Sequence, residues 1–471
     1  MSKEKELVKN TAIITFGKVC TQLVSFLLLP LYTSILSTEE YGTVDLVITY
    51  STLLLPFITL ALEQALFRFL IDARGNKEKT CQYISTTVFI SGIILSGAVA
   101  VILGIYIFTG NQYLPYFALV LGGSVVSAIS LQICRGLGDN IGYTLCSITA
   151  AIVQIAGNVL FIAVFKFGAQ GMMLASFLGY SASGVIPFVR CRLTEYLKLR
   201  YFNKETFTEL IRYSLPLIPN QLSWWVLSAA DKVIVQFFIG ISGNGLVAVA
   251  SRFSGVYIQF SGIFNISWTE SATLHIHDKD ADNFFIEIIN SVYKLFLSAC
   301  CGIIVCIPFV FPVLINAQYN EAYGLIPIFM VASLCNVVVS LYGVIYVAHK
   351  KSVEIAKTAV YAATLNVVSH LLLIHFLGIY ASAVSTAIGY GGMAVYRYFH
   401  SRKYLTVKFK KSTLFLSILM LAVSFGSYYS CMRIIEILGF LLIFVLSIVL
   451  NRRILFSIVQ TVKKSKDNIL R

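Results

Sequence analysis

Several charged side chains stand out inside otherwise apolar runs of this chain, among them Lys18, Glu63, Asp231, Lys232, Arg252, Glu270 and Lys294, with Arg68 at the end of one such run. A charge at the bilayer centre costs roughly 2.5–3.5 kcal/mol on insertion scales, so such a group faces a partner or a water-filled cavity. The sharpest case is AADKVIVQFFIG (229–240), where Asp231 and Lys232 are neighbours. Adjacent residues on a helix point about 100° apart, so the two cannot simply neutralise each other. One is free to line a cavity while the other pairs with a neighbouring helix, and Arg252 in the next span can serve Asp231. Structural ion pairs locking the two spans are the competing reading. Lys294 and Arg68 also read as side chains reaching out to the interface. No P-loop, paired-carboxylate or Ser/His/Asp arrangement occurs, and His275-x-His277 and His370/His375 are too loose for a metal site. No metal or other cofactor is expected.

The elements that position these charges follow from composition. Hydrophobic residues make up 58% of the 471 and charged residues 12%, where a soluble chain carries about a quarter charged. The expectation is an all-α polytopic membrane protein. The polar start MSKEKELVKN leads into an apolar run without a small-residue cleavage site, so that run reads as a retained span. The ten cysteines lie mostly in apolar runs, contain no CxxC, and read as small core hydrophobes.

A span takes about 20 apolar residues. Cutting at polar breaks predicts about 14 transmembrane helices, near 11–36, 42–67, 82–108, 114–134, 142–165, 169–189, 213–239, 245–272, 288–314, 322–348, 355–376, 379–399, 412–431 and 435–451. Of the 36 Lys and Arg, only Lys166 and Arg433 fall in the outer loops, Lys18, Lys232, Arg252 and Lys294 fall well within spans, and Lys357 and Arg397, close to span ends, count with the inner segments. The remainder sit on one side, which predicts both termini cytoplasmic. The +14 charge then reflects orientation and contact with anionic membrane lipids, not nucleic-acid binding.

FGAQGMMLASFLGY (167–180) and LGIYASAVSTAIGY (377–390) align without gaps at an offset of 210, superposing Gly179 on Gly389 and Tyr180 on Tyr390. Six predicted helices end at each copy, which predicts two six-helix halves repeated in one orientation, a transporter signature. The division is 1–200, 201–405, and 406–471 for the last two helices and a basic tail. Charges recur at corresponding places: Lys18 and Glu63 open the first half, and Asp231, Lys232, Arg252 and Glu270 open the second. The outer loops are short (STEEYG, FTGNQYL, KFGAQ, ISGNG), which disfavours a membrane glycan polymerase or ligase.

LPLYTSILSTEEYGTVDLV (29–47), FRFL (67–70) and LPLIPNQLSWWVLSAADKVIVQFFIGISGNGLVAVASRF (215–253) resemble, in order and spacing, the polysaccharide and O-antigen flippases of the multidrug/oligosaccharidyl-lipid/polysaccharide exporter superfamily. Departures are Leu246 where that family often has Tyr and Arg252 where Lys is usual. The resemblance implies V-shaped lobes, alternating access without covalent chemistry, and an undecaprenyl-diphosphate-linked oligosaccharide as substrate in a bacterial cytoplasmic membrane. It further implies a cationic cavity in which Lys18, Lys232, Arg252 and Arg68 contact the substrate. Glu63, Asp231 and Glu270 would then serve ion coupling or charge pairing. A monomer working beside polysaccharide assembly proteins is expected. A drug/cation antiporter of the same superfamily is the alternative.

Overall fold

The computed structural model describes residues 26–276, 278, 280–405, 409 and 411–452, and among them the chain is helical with no strand. Eleven helices are long and apolar enough to cross a membrane. Two further expected spans, Ile218–Phe238 and Tyr380–His400, are helices of 21 residues each, more polar than the rest. The first expected span lies largely outside the described residues, and Lys18 with it. Fourteen spans are compatible with this architecture. The chain forms two compact units, Met1–Val249 and Ala250–Arg471, and the dividing point lies inside the helix Ile241–His275.

The first unit comprises α1 (Leu29–Ile35), α2 (Thr38–Ile58), α3 (Leu62–Asp72), α4 (Lys77–Thr109), α5 (Leu114–Leu137), α6 (Asn140–Asn158), α7 (Gly168–Ser183), α8 (Val185–Arg190), α9 (Lys204–Ser214), α10 (Ile218–Phe238) and the start of α11 (Ile241–His275). Local chemistry sets several of these starts. Ser37 and Glu40 form a reciprocal capping box on α2. Asn76 and Asp139 cap α4 and α6 by accepting from the amides of Lys79 (3.1 Å) and Gly142 (2.8 Å). Leu62, Ala65, Leu66 and Leu70 of α3 are fully buried against Ile84, Leu121, Val125 and Ile133, whereas Ile107, Phe108 and Phe237 are exposed as lipid-facing groups would be.

The expected span 42–67 is not one helix. It breaks at residues 59–61, where Leu60 and Ala61 both take φ 52° and the Ala61 amide donates back to Pro56 O at 3.0 Å. That wide bond closes the end of α2, and the chain restarts as α3. Glu63 thereby falls in the first turn of a new helix, where the dipole favours a carboxylate.

Helices approach closely where side chains are absent. A Cβ on Gly42 of α2 would overlap Ile241 O, and one on Gly245 of α11 would overlap Thr38 O. Thr38 and Ser242 hydroxyls meet at 2.5 Å, and the Asn244 amide donates to Gly42 O at 3.0 Å. The two contacts are reciprocal, each glycine facing the residue four before the other.

The second unit adds the rest of α11, then α12 (Ala281–Leu314), α13 (Ile326–Ala348), α14 (Ser352–Leu377), α15 (Tyr380–His400), α16 (Lys411–Tyr429) and α17 (Arg433–Leu450). The internal repeat has a structural counterpart. Gly179 packs on Ala150 O and Gln154, and Gly389 packs on Ala362 O and Asn366. Gln154 donates to Ser176 at 3.1 Å, and Asn366 donates to Thr386 at 3.4 Å. Ser176 and Thr386 are themselves 210 residues apart, so each unit builds this helix pair the same way.

The close crossing predicts opposite outcomes for two equivalent substitutions. Gly42→Ala should lower the melting temperature in detergent, by overpacking worth about 1–3 kcal/mol. Gly92→Ala on α4, with open space around its Cβ position, should leave stability unchanged or raise it by up to about 1 kcal/mol.

Candidate functional site: a buried lysine–aspartate pair inside a span

Lys232 on α10 reaches Asp45 on α2. Its ammonium donates to Oδ1 at 3.1 Å and lies 2.9 Å from Oδ2. The Asp45 side chain is 5% exposed and that of Lys232 19%, so the pair is buried with one side still reachable. Asp231 is itself buried, and its carboxylate lies within electrostatic reach of both Lys232 and Asp45.

Further contacts join α2 to α10 on either side of Lys232. Towards one end, Trp225 Nε1 donates to Thr49 O (3.2 Å) and Thr52 Oγ1 (3.3 Å). Towards the other, the Tyr50 hydroxyl donates to Gln236 Oε1 at 2.6 Å. Gln236 is four residues beyond Lys232 and so lies on the same face, while the Tyr50 side chain leans back towards the start of α2. Gly42 stands one turn before Asp45, and its crossing with α11 anchors that end of α2.

The structure places the other expected site residues as follows. Glu63 is buried in the α3 core, and its Oε2 has no hydrogen-bond partner among the described residues. Arg68 is exposed and pairs with Asp72 on its own helix at 2.7 Å. Arg252 is half-buried on α11 and belongs to the second unit, whereas the neighbours of Asp231 within its own unit are Lys232 and Asp45. Glu270 is exposed near the far end of α11, and Lys294 lies on α12. Lys18 is outside the described residues. Within the first unit, Asp231 and Lys232 are neighbours on α10.

Three polar residues have placements that the sequence reading did not assign. Asp45 is the partner of Lys232, and its signal was plain: a carboxylate inside the expected span 42–67. Arg397, expected in an inner loop, is instead buried within α15. Its guanidinium donates to Thr358 Oγ1 (3.1 and 2.8 Å) and Val339 O (2.9 Å), in space that Gly343 leaves open. No carboxylate pairs with Arg397 among the described residues. His370 is fully buried in α14, and neither ring nitrogen has a partner there.

A bundle of membrane-crossing helices with a charge cluster inside it defines a class, and solved structures identify the fold. An inward-facing multidrug resistance MATE family transporter of the MOP superfamily is similar at TM-score 0.68 and 15% identity, over 81% of this chain and 94% of that one. The lipid II flippase MurJ, in an inward closed conformation, is similar at TM-score 0.70 and 16% identity, over 95% of this chain and 100% of that one. A MATE protein in complex with MaL6 is similar at TM-score 0.59 and 16% identity, over 84% and 95%. No curated protein matches the chain. The family model described as "Polysaccharide biosynthesis protein" matches residues 7–273, more than half of the 471, and the chain belongs to that family.

If Lys232 and Asp45 act as a unit, their removal must be non-additive. Asp45→Ala and Lys232→Ala should each destabilise by about 3–5 kcal/mol, because each strands a buried charge. The double substitution should cost less than the sum, with coupling in the range of about 0.5–3 kcal/mol. Denaturation of the four proteins in one detergent tests this. Additive losses would dissolve the pair as an energetic unit.

Proposed function

We propose that the protein is a flippase, carrying an undecaprenyl-diphosphate-linked oligosaccharide across the cytoplasmic membrane by alternating access. The carrying observation is the family match, which runs from residue 7 through the Asp45–Lys232 site to residue 273. The likeness in fold to MATE transporters and to MurJ supports a transporter rather than an enzyme. In this reading the protein is a multi-pass monomer with both termini cytoplasmic, meeting its lipid substrate within the bilayer beside polysaccharide assembly proteins. The lobe boundaries remain 1–200 and 201–405.

The chemistry follows from competition for one ammonium. A diphosphate leaving headgroup water needs charge-assisted hydrogen bonds in return. Lys232, still partly reachable, offers three N–H donors. Once it turns to the anion, Asp45 is a buried carboxylate without its cation, which is strongly unfavourable. Proton or cation uptake by Asp45 or Asp231 relieves that, so anion capture and ion entry favour each other reciprocally. Arg252, Arg68 and Lys18 are retained as further substrate contacts, and Glu63 and Glu270 as coupling or pairing groups.

A cation antiporter is the second reading, favoured by Asp45. With it, the cluster holds two carboxylates and one ammonium, a balance that suits a cationic substrate.

Gene deletion separates the two. The flippase reading expects lipid-linked repeat units to accumulate on the cytoplasmic face while surface glycan is lost. Lys232→Ala should fail to restore glycan although it inserts at normal levels, and Lys232→Arg should restore it in part. Unchanged glycan with altered tolerance to cationic drugs would replace the flippase with the antiporter.

A further inference from the structure

A second charged site lies apart from the Asp45–Lys232 cluster, where α3, α5 and α8 end and α4 begins. A cavity of about 690 Å³ there is lined by Arg74, Lys77, Asp139, Arg190 and Tyr196 among others. Its cations are held in fixed positions. Arg74 Nε donates to Gly136 O at 2.9 Å and its Nη2 to Arg135 O at 3.3 Å, so the end of α5 fixes the guanidinium plane. Arg190 grips Asp139 with two bonds, 2.7 and 3.1 Å. Lys77 bonds Glu195 at 2.8 Å, and Arg192 reaches the same carboxylate at 3.7 Å.

The charge balance at this rim is uneven. Of the lining groups, Arg74, Lys77 and Arg190 face one carboxylate, Asp139; beside the cavity Lys77 and Arg192 share Glu195, and Glu78 and Lys79 cancel on the adjoining turn. Arg74 has no carboxylate partner among the described residues. The Lys77 ammonium holds the Glu195 carboxyl below the usual carboxylate range, so that carboxylate stays ionised and already engaged. Two positive charges are left over around a concave space too large for a single water and lined by donors. The first amides of α4 point out of its N-terminus beside Asn76 and add a favourable dipole.

From this geometry we infer a phosphate-binding site, whose occupant is the headgroup of an anionic phospholipid. Phosphate is the group that matches two excess cations and a guanidinium fork. A lipid source is favoured over a free anion because three membrane-crossing or membrane-edge helices end at the cavity, and basic pockets at such ends take anionic headgroups. The site stands independently of the flippase reading.

The test uses the full-length protein in nanodiscs. One arm compares phosphatidylglycerol with phosphatidylcholine bilayers, counting lipids that remain bound by native mass spectrometry. The other titrates inorganic phosphate into protein in phosphatidylcholine alone and reads the melting temperature. The variants are R74Q/K77Q, which removes two rim charges, and K204Q, which removes one charge on α9 outside the cavity. The charge reversal K77E, at a side chain that is 66% exposed, guards against loss of the α5 contact in the Arg74 variant. Retention of phosphatidylglycerol should weaken roughly 25-fold in R74Q/K77Q, fall in K77E, and stay unchanged in K204Q. Phosphate stabilisation lost in the same two variants, with no preference for phosphatidylglycerol, would assign the site to a free anion and overturn the lipid assignment. No preference in either arm, or an equal loss in K204Q, would overturn the site altogether.

Discussion

The ion pair of Lys232 with Asp45, joining α10 to α2, is the constraint on which the first unit depends. Neither Lys232 nor Asp45 is tolerable alone in a low-dielectric interior, because the desolvation of either ion costs several kcal/mol. The pair holds only while α2 and α10 stay within hydrogen-bond reach, and the neighbouring contacts serve that end. Trp225 ties one end of the interface to Thr49 and Thr52, and Tyr50 reaches Gln236 near the other. The missing side chains of Gly42 and Gly245 allow α2 to lie against α11. Small residues permit close packing, close packing permits the ion pair, and the ion pair permits charge chemistry inside a span.

Arg397 in the second unit is the instructive contrast. It too is a cation within a helix bundle, yet its donors go to a hydroxyl and a backbone carbonyl. Those partners are neutral dipoles fixed on α14 and α13, and none can be exchanged for an incoming anion without opening the packing around Gly343. A planar guanidinium with several donors suits such a clamp, whereas a compact ammonium on a flexible stem suits a group that changes partners. Arg397 joins three helices through neutral partners, and Lys232 joins two through a charged one.

The helical bundle was legible because apolar runs of span length leave few alternatives, and the repeat was legible because the same glycines meet the same neighbours in both units. The break in the second span was not. Leu60 and Ala61 have no intrinsic preference for positive φ, and a proline such as Pro56 often sits inside a membrane helix without ending it. At the site, Asp231 and Lys232 declared themselves by their charge, but the partner of Lys232 is 187 residues away in sequence. Pattern along one helix carries no information about which face of which other helix it meets. Arg397 was hidden differently, since its nearness to Arg402 and Lys403 made a buried cation read as part of a basic loop.

Stability alone gives no reason for charge at this position. A buried ion pair replaced by well-packed apolar residues is often neutral or more stable by about 1–4 kcal/mol, and α2 and α10 already have aromatic and amide contacts to hold them. Asp231 sharpens the point, because it is a second carboxylate buried on the same helix, one residue from Lys232. Two helices that apolar packing could join instead keep an aspartate and a lysine in contact, at a cost that packing alone would not require.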